Sequence, residues 1–253
     1  MIQPRPHLRE LYRTPDDPES HHRYLRLDKN ERVVPFPPKI WERFLELLTP
    51  EAVMAYPELE ELYQKLATHI GVGRDHIFFA TGSDLAIKTV YETYIDPGDV
   101  VQVHLPSYAM QEIYSKVFQA RLVTFSFDKH LCLDVDAYIN AITPKTRMVV
   151  LENPNGFIGT IQTEKVIRAI VEKAHRHGVL MLLDEAYYLF SDQTVQPLYK
   201  EFDNVIITRT FSKDLGIAGL RCGYLLSQPQ NIQSVYRVKP MHEITSAAVA
   251  FAL

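Results

Sequence analysis

From residue 76 onward, short apolar runs alternate with stretches in which apolar residues recur every three or four positions. The runs occupy residues 76–80, 99–105, 121–127, 147–152, 179–184, 204–210 and 221–226. The spacing between most of them predicts helices, for example over 84–95, 107–119 and 163–177. Strands that alternate with helices are typical of a mainly parallel sheet covered on both faces. We therefore predict an α/β fold with one large, mainly parallel seven-stranded sheet sandwiched by helices.

The two ends of the chain lack this alternation. Residues 1–35 are rich in Pro, Arg, His and Asp and predict an N-terminal arm, while residues 36–253 predict one large domain. Helices are predicted over 37–50 and 56–71, the second ending at a glycine. The chain closes with the apolar, helix-compatible run ITSAAVAFAL, which has no cap or polar tail. From this pattern we expect a further segment to follow.

Composition narrows the classes of function. The formal net charge of −4 provides no basic surface for nucleic acid or for an anionic membrane. The two cysteines, Cys132 and Cys222, are too few for a disulfide framework and fit reduced thiols. No stretch approaches the ~20 apolar residues that span a bilayer, and the first residues form no apolar signal segment. We expect a soluble, cytoplasmic protein without nucleic-acid or membrane partners.

Polar residues that could take part in binding or catalysis follow the predicted strands. The stretch FFATGSD runs from a strand into a helix that begins near Ser83 and Asp84. The free N–H groups and the positive dipole at such a helix start form a ready anion site. Ordinary helix capping by the serine or the aspartate is the alternative.

Two later stretches add a carboxylate, an amine and a guanidinium. Asp184 ends the apolar run VLMLLD and needs a partner if it is buried, with Tyr187 three residues further on. Lys213 follows the next run and would become a nucleophile if it were partly desolvated, and Arg221 offers a planar fork for phosphate. Each residue alone is more often structural. Together they match what pyridoxal phosphate requires.

A metal centre is not predicted. His175 and His177 are two positions apart on a predicted helix, which places them on different faces. A solvated helix end is the simpler interpretation of that pair.

Six stretches in one order resemble the fold-type I, pyridoxal-phosphate-dependent class I/II aminotransferases. The stretches are YPELEELYQKLA, TGSD, LPSYAMQEIY, ENPNGFIGT, LDEAYYLF and TRTFSKDLGIAGLRCGY, spread over residues 56–224. Within that family the chain most resembles the histidinol-phosphate aminotransferase group. The last two stretches are specific as a pair, whereas TGSD alone would be weak.

The resemblance implies a role for each residue near the cofactor ring. Lys213 would bond covalently to the cofactor and act as the proton shuttle, and Asp184 would pair with the pyridine nitrogen. Tyr187 would donate to the phenolic oxygen of the ring, and Tyr108 would stack on its face. The residues that would surround the phosphate are Gly82, Ser83, Asp84, Thr210, Ser212 and Arg221.

The resemblance also implies partners. Family active sites lie at the interface of a homodimer, where Tyr56 would reach the phosphate of the neighbouring subunit. The stretch LDKNE, with Asn30, is similar to the family's N-terminal substrate loop.

The chain departs from the family in two places. The family's NPNNPTGT is NPNGFIGT here, so Gly156 takes the position of the asparagine that bonds the ring oxygen. Asn155, one residue earlier, is the nearest substitute. The second departure is the family's smaller C-terminal domain, with its arginine for the substrate carboxylate, to which nothing in the sequence corresponds. We therefore expect a nearly complete cofactor site and an incomplete substrate site.

Three functions remain open at this stage. The leading hypothesis is an aminotransferase that moves an amino group between an amino acid or amine and a 2-oxo acid or other carbonyl compound, with histidinol phosphate as one substrate suggested by the resemblance. A pyridoxal-phosphate-dependent decarboxylase or lyase would use the same cofactor residues. A catalytically incomplete cofactor-binding protein would fit the departure at Gly156.

Overall fold

The computed structural model describes residues 2–9, 11–13 and 23–253, and in this part of the chain seven strands form one sheet. The strands are β1 (Ile77–Ala80), β2 (Val100–Leu105), β3 (Arg121–Ser126), β4 (Thr146–Glu152), β5 (Leu180–Asp184), β6 (Val205–Thr210) and β7 (Gly223–Ser227). Their spatial order is β1-β7-β6-β5-β4-β2-β3. β7 runs antiparallel to both of its neighbours, and the remaining pairs are parallel. The predicted α/β fold with a mainly parallel seven-stranded sheet is confirmed.

Helices precede, follow and connect these strands. They are α1 (Pro38–Leu47), α2 (Pro50–Met54), α3 (Glu60–Ile70), α4 (Gly82–Tyr94), α5 (Met110–Val117), α6 (Val135–Asn140), α7 (Glu164–Arg176), α8 (Gln196–Glu201), α9 (Pro229–Tyr236) and α10 (Ser246–Ala252). Within the described ranges, none of them combines the length and the apolar character that crossing a bilayer would require.

The predicted helix over residues 37–50 corresponds to α1, which ends at Leu47, and a second short helix, α2, begins at Pro50. Pro50 opens α2 at a position that needs no backbone N–H, and the Thr49 side chain caps this helix by accepting from the Ala52 N–H. α3 ends where predicted, because Gly71 adopts a left-handed conformation with φ of 68°. The predicted arm, residues 1–35, is only partly covered, since residues 1, 10 and 14–22 lie outside the described residues. The division into an arm and a large domain stays a prediction.

The sheet separates two apolar layers. Along β5, Met181 and Leu183 pack into one layer, whereas Leu182 packs into the other. This alternation follows from the two-residue period of a strand. Because both faces are covered, β5 is apolar up to its last residue, Asp184, and β6 begins with three apolar residues before its polar carboxyl end.

Polar residues at the carboxyl ends of the central strands meet at one edge of the sheet. β4, β5 and β6 are parallel neighbours that end at Glu152, Asp184 and Thr210. The N-terminus of α4 lies next to them, because β7 packs against its first residues. Ligand sites of open α/β sheets form at this edge.

Gly223 provides a test of that packing. A Cβ at this position would lie 2.5 Å from the Ser83 N and 2.8 Å from the Arg209 O. Both atoms are backbone and cannot rotate away, so we expect Gly223→Ala to lower the free energy of unfolding by about 2 kcal/mol or more. Gly219→Ala is the matched control, because a Cβ there would meet no atom within 4 Å. Urea unfolding of both variants is the measurement, and equal losses would contradict the packing described.

Candidate active site

A cleft of about 690 Å³ lies at the carboxyl ends of β4, β5 and β6. Ten of the predicted site residues line it, namely Asn30, Ser83, Asp84, Tyr108, Asp184, Tyr187, Thr210, Ser212, Lys213 and Arg221. The structure thus brings together most of the residues singled out from the sequence. Gly82 lies just behind the cleft, whereas Asn155 and Tyr56 do not line it.

Lys213 occupies the loop after β6 and is half-buried. Its Nζ donates a hydrogen bond to the Lys29 carbonyl oxygen at 2.6 Å and lies 5.8 Å from the centre of the Tyr187 ring. Burial lowers the pKa of the amine; the Glu31 carboxylate opposes this effect and the Arg221 guanidinium adds to it. Lys213 is therefore easier to deprotonate than a surface lysine, as a nucleophilic or proton-transferring amine requires.

Asp184 forms the floor of the cleft and is only 4% exposed. Its Oδ1 accepts from the Ala186 N–H at 3.0 Å. Burial, and after it the neighbouring Glu152 carboxylate, raise the pKa of Asp184 to about 8. A cationic hydrogen-bond donor in the cleft would stabilise the ionised form of this carboxyl group.

Glu152 is a second carboxylate at the floor, which sequence reasoning missed. It lies directly beside Asp184 in the register of β4 and β5, and its Oε1 accepts from the Ser107 hydroxyl at 2.7 Å and from the Tyr108 N–H. A signal was present in the sequence, because the run RMVVLE ends in an acid just as VLMLLD does.

Tyr187 and Asn30 form a hydrogen-bonded pair at the wall of the cleft. The Asn30 Nδ2 donates to the Tyr187 hydroxyl at 2.9 Å. Asn30 has a left-handed backbone with φ of 51°, which asparagine tolerates better than most residues. The Tyr187 ring packs on Gly156, where a Cβ would lie 2.4 Å from the Tyr187 Cε2. The glycine in NPNGFIGT therefore leaves room for this tyrosine.

Asn155 requires a correction. Its side chain is 2% exposed, and its Nδ2 donates to the Pro106 carbonyl oxygen at 2.9 Å. Its Oδ1 accepts from the N–H groups of Phe157 and Ile158 at 2.9 and 3.0 Å. All of these bonds fix the surrounding loop, in the manner of an asparagine that caps a turn. The prediction that Asn155 serves the cleft in place of Gly156 is wrong, because its amide is turned into the loop.

The start of α4 forms the anion-binding end of the cleft. Thr81 precedes the helix but makes no side-chain cap, because its hydroxyl donates to the Glu243 carbonyl oxygen at 2.7 Å. Gly82 has a φ of 77°, and a Cβ there would lie 2.6 Å from the Arg221 Nη2. The glycine thus lets the guanidinium approach the helix start. Uncapped N–H groups beside an arginine suit a phosphate group.

Two hydroxyls complete this end. The Thr210 hydroxyl donates to the Ser212 Oγ at 2.9 Å, and both residues are buried. Asp84, in the first turn of α4, accepts from the Tyr114 hydroxyl at 2.8 Å, which fixes a negative charge at the positive end of the helix dipole. Tyr108 also lines the cleft with 37% of its surface exposed, which leaves its ring available for stacking.

Tyr56 lies away from the cleft. It is 76% exposed and stacks on His242 with a centroid distance of 3.8 Å and an interplanar angle of 6°. It does not contact this chain's own cleft, and its predicted contact with a neighbouring subunit stays a prediction.

The arrangement of the cleft combines three chemical capacities. A half-buried amine can act as a nucleophile or move a proton, a buried carboxyl group can stabilise a cation, and an arginine beside a helix start can hold a phosphate. These groups face one cavity large enough for a small molecule.

Comparison with families of known proteins agrees with this chemistry. The model of the family described as aminotransferase class I and II matches residues 23–253. Histidinol-phosphate aminotransferase of Caldanaerobacter subterraneus subsp. tengcongensis is 32% identical over 231 residues, which are 90% of this chain and 65% of that protein. The enzyme of the same name from Methanothermobacter thermautotrophicus is 35% identical over 234 residues, covering 90% and 61%. The chain thus spans less than two thirds of the length of these curated relatives.

Solved structures show the same fold. A histidinol-phosphate aminotransferase from Sinorhizobium meliloti, in complex with pyridoxal 5′-phosphate, superposes with a TM-score of 0.78 at 25% identity over 88% of this chain and 62% of that one. A putative histidinol-phosphate aminotransferase from Erwinia carotovora atroseptica gives a TM-score of 0.80 at 24% identity, covering 88% and 66%.

The raised pKa of Asp184 predicts a pH-dependent stability. The folded protein without a ligand keeps a proton on Asp184 that the unfolded chain releases above about pH 4, so this group lowers stability as pH rises from about 4 to about 8. The slope from this one group is up to about 1.4 kcal/mol per pH unit. Asp184→Asn should remove this fall, so its gain in free energy of unfolding should grow with pH. Urea unfolding across this range is the measurement, and parallel pH profiles of the two proteins would contradict the assignment.

Proposed function

The chain belongs to the class I and II aminotransferases, and from that premise we propose that it is a pyridoxal-phosphate-dependent aminotransferase. It would move an amino group between an amino acid or amine and a 2-oxo acid or similar carbonyl compound. The observation that carries the proposal is the meeting of the Lys213 amine and the buried Asp184 carboxyl group in one cleft, with Arg221 and the start of α4 at its end.

The residues of the cleft fit this cofactor. Asp184 is a buried carboxyl group whose ionised form needs a cationic partner, and a protonated pyridine nitrogen is such a partner. Tyr187 and Asn30 supply polar groups for the ring edge, and Tyr108 supplies an aromatic face. The phosphate would be held by the N–H groups at the start of α4 and by the side chains of Ser83, Thr210, Ser212 and Arg221.

Bound pyridoxal phosphate supplies an electron sink for the negative charge that develops on the substrate carbon. The protein supplies the proton transfers. The lowered pKa of Lys213 makes its amine easier to deprotonate than a fully solvated lysine, which favours an amine that accepts and returns a proton. Asp184, in its ionised form, would hold the ring nitrogen in place. Burial of Asp184 limits the access of water to that carboxyl group.

For the substrate we propose an amine that carries a phosphate or an aromatic ring, with histidinol phosphate as the leading candidate. The names of the relatives support this class. So does the polar segment of residues 28–31, which lines the cleft and includes Asn30. A cytoplasmic location fits the two free cysteines, Cys132 and Cys222, and stays a prediction.

We also propose a homodimer in which Tyr56 reaches the phosphate site of the neighbouring subunit. Tyr56 is exposed, as are Val53 and Met54, which are close to it in the sequence. Exposed apolar groups in one region are typical of an interaction surface.

Covalent labelling tests the role of Lys213. After incubation with pyridoxal phosphate and reduction with borohydride, we expect the pyridoxyl group on the peptide that contains Lys213. Lys213→Ala should abolish the label, whereas Lys29→Ala should keep it, although Lys29 also lines the cleft. Peptide mass spectrometry is the measurement. A label on another lysine in the unaltered protein, or none at all, would refute the proposal.

The fate of added amino donors separates the remaining functions. A labelled protein that passes the amino group of a donor to a 2-oxo acid is an aminotransferase. Release of CO₂ from the donor would instead identify a decarboxylase. A labelled protein that reacts with no donor would be a cofactor-binding protein without catalysis.

The role of Tyr56 has its own test. Tyr56→Phe removes the hydroxyl but keeps the ring that stacks on His242. If that hydroxyl contacts a phosphate across the dimer, the loss of one charge-assisted hydrogen bond should weaken pyridoxal phosphate binding by about tenfold. Sedimentation velocity should show a dimer for both proteins. A monomeric protein, or an unchanged affinity, would overturn the assignment.

A further inference from the structure

Two carboxylates lie side by side at the floor of the cleft. Glu152 ends β4 and Asp184 ends β5, and the parallel register places the two residues opposite each other. Paired residues of neighbouring strands project to the same face of a sheet. Glu152 is 7% exposed, Asp184 is 4% exposed, and both line the cleft.

Glu152 is fixed by its side chain and by its backbone. Its Oε1 accepts from the Ser107 hydroxyl and the Tyr108 N–H, and its own N–H donates to the His104 Nε2 at 3.0 Å. The His104 Nδ1 must then carry the proton, which it shares with the Pro106 carbonyl oxygen at 3.2 Å. Burial lowers the pKa of His104 to about 4, so the ring is neutral. This network ties the loop that carries Tyr108 to the end of β4.

Glu152 is also the neighbouring acid with the largest electrostatic effect on the pKa of Asp184, and burial raises the pKa of Glu152 itself. Glu185, the next residue along the chain, is paired with Arg209 at 2.6 Å. The bonds that Glu152 accepts come from a hydroxyl and an N–H, and neither neutralises its charge. Burial and then Glu152 raise the pKa of Asp184 to about 8. The other titratable or charged groups that line the cleft are Asp28, Lys29, Glu31, Asp84, Tyr108, Tyr187, Lys213 and Arg221.

We propose that Glu152 is a positioning residue with two effects: it holds Tyr108 at the cleft, and its negative charge sets the pH range over which the cofactor binds. The inference rests on the proposed function. A protonated Asp184 cannot accept a hydrogen bond from a cationic ring nitrogen on the same oxygen that carries its proton. Binding therefore requires Asp184 to ionise, and the Glu152 charge opposes that ionisation.

The test uses pyridoxine 5′-phosphate, which lacks the aldehyde and cannot bond to Lys213. Its dissociation constant is measured from about pH 6 to about pH 9 for the unaltered protein and for Glu152→Gln. Glutamine keeps an oxygen that can accept from Tyr108 and Ser107 but removes the charge. We expect the affinity to rise with pH and to reach its plateau about one pH unit lower in Glu152→Gln. Titration of the free ligand is common to both proteins and cancels in the comparison.

Ser107→Ala is the matched control. It removes a hydrogen bond to Glu152 but leaves the charge, so the pH at which the plateau is reached should not move. If Glu152 served only to pack the loop, Glu152→Gln would give a different result. Its substitution by glutamine would then change the affinity at every pH alike and leave the plateau in place, which would overturn the inference.

A second measurement decides the case if Glu152→Gln does not fold. The Asp184 carboxyl group of the unaltered, cofactor-free protein is titrated by ¹³C NMR, with Asp184→Asn identifying its signal. Two titration steps in the Asp184 signal support the inference, because a neighbouring Glu152 charge makes the two acids titrate together, and a single step overturns it. The proposed function fails separately, by the absence of a borohydride label on Lys213. A labelled protein whose plateau does not depend on Glu152 would keep the function and lose only this inference.

Discussion

The cleft depends on a buried ion pair between the ends of β5 and β6. Arg209 donates from Nε and Nη2 to the Glu185 Oε2 at 2.8 and 2.6 Å, and both side chains are at most 2% exposed. Removing two charges from water is costly, and only good geometry with further hydrogen bonds offsets that cost. Thr194 and the Val195 N–H supply such bonds to Glu185. Because Asp184 precedes Glu185 and Thr210 follows Arg209, the pair fixes the backbone on which the floor of the cleft is built.

Exclusion of water strengthens the attraction between the paired Glu185 and Arg209, but it disfavours the charged forms of the groups that face the cleft. It raises the pKa of Asp184 and lowers that of Lys213, which lack such partners. Both shifts cost folding free energy in the protein without its ligand. They also leave a carboxyl group ready for a cation and an amine ready to exchange a proton. The buried ion pair thus fixes the backbone at the floor of the cleft, where the shifted pKa values of the site residues lower the free energy of unfolding.

The fold and most of the cleft could be predicted from the sequence, because the buried parallel strands are mainly apolar and polar residues stand at or just after their carboxyl ends. Asp184 and Lys213 were found in this way. Other features depend on the direction of a strand or the orientation of a side chain, which the order of residues alone does not give. The antiparallel course of β7 and the turn of the Asn155 amide into its loop are of this kind. The role of Glu152 could not be predicted from the sequence, because it depends on the register of β4 with β5.

The glycine at position 156 is explained by the position of the Tyr187 ring. A family-like asparagine at this position would bring its Cβ to 2.4 Å from the Tyr187 ring as that ring now lies. With glycine, the ring packs against the backbone of the loop, and its hydroxyl is held by the Asn30 amide at 2.9 Å. An amide is therefore present at this wall of the cleft, but it comes from the N-terminal segment and contacts the Tyr187 hydroxyl. That segment also accepts the hydrogen bond from Lys213, so in this chain the wall of the cleft and its amine are both tied to residues 29 and 30.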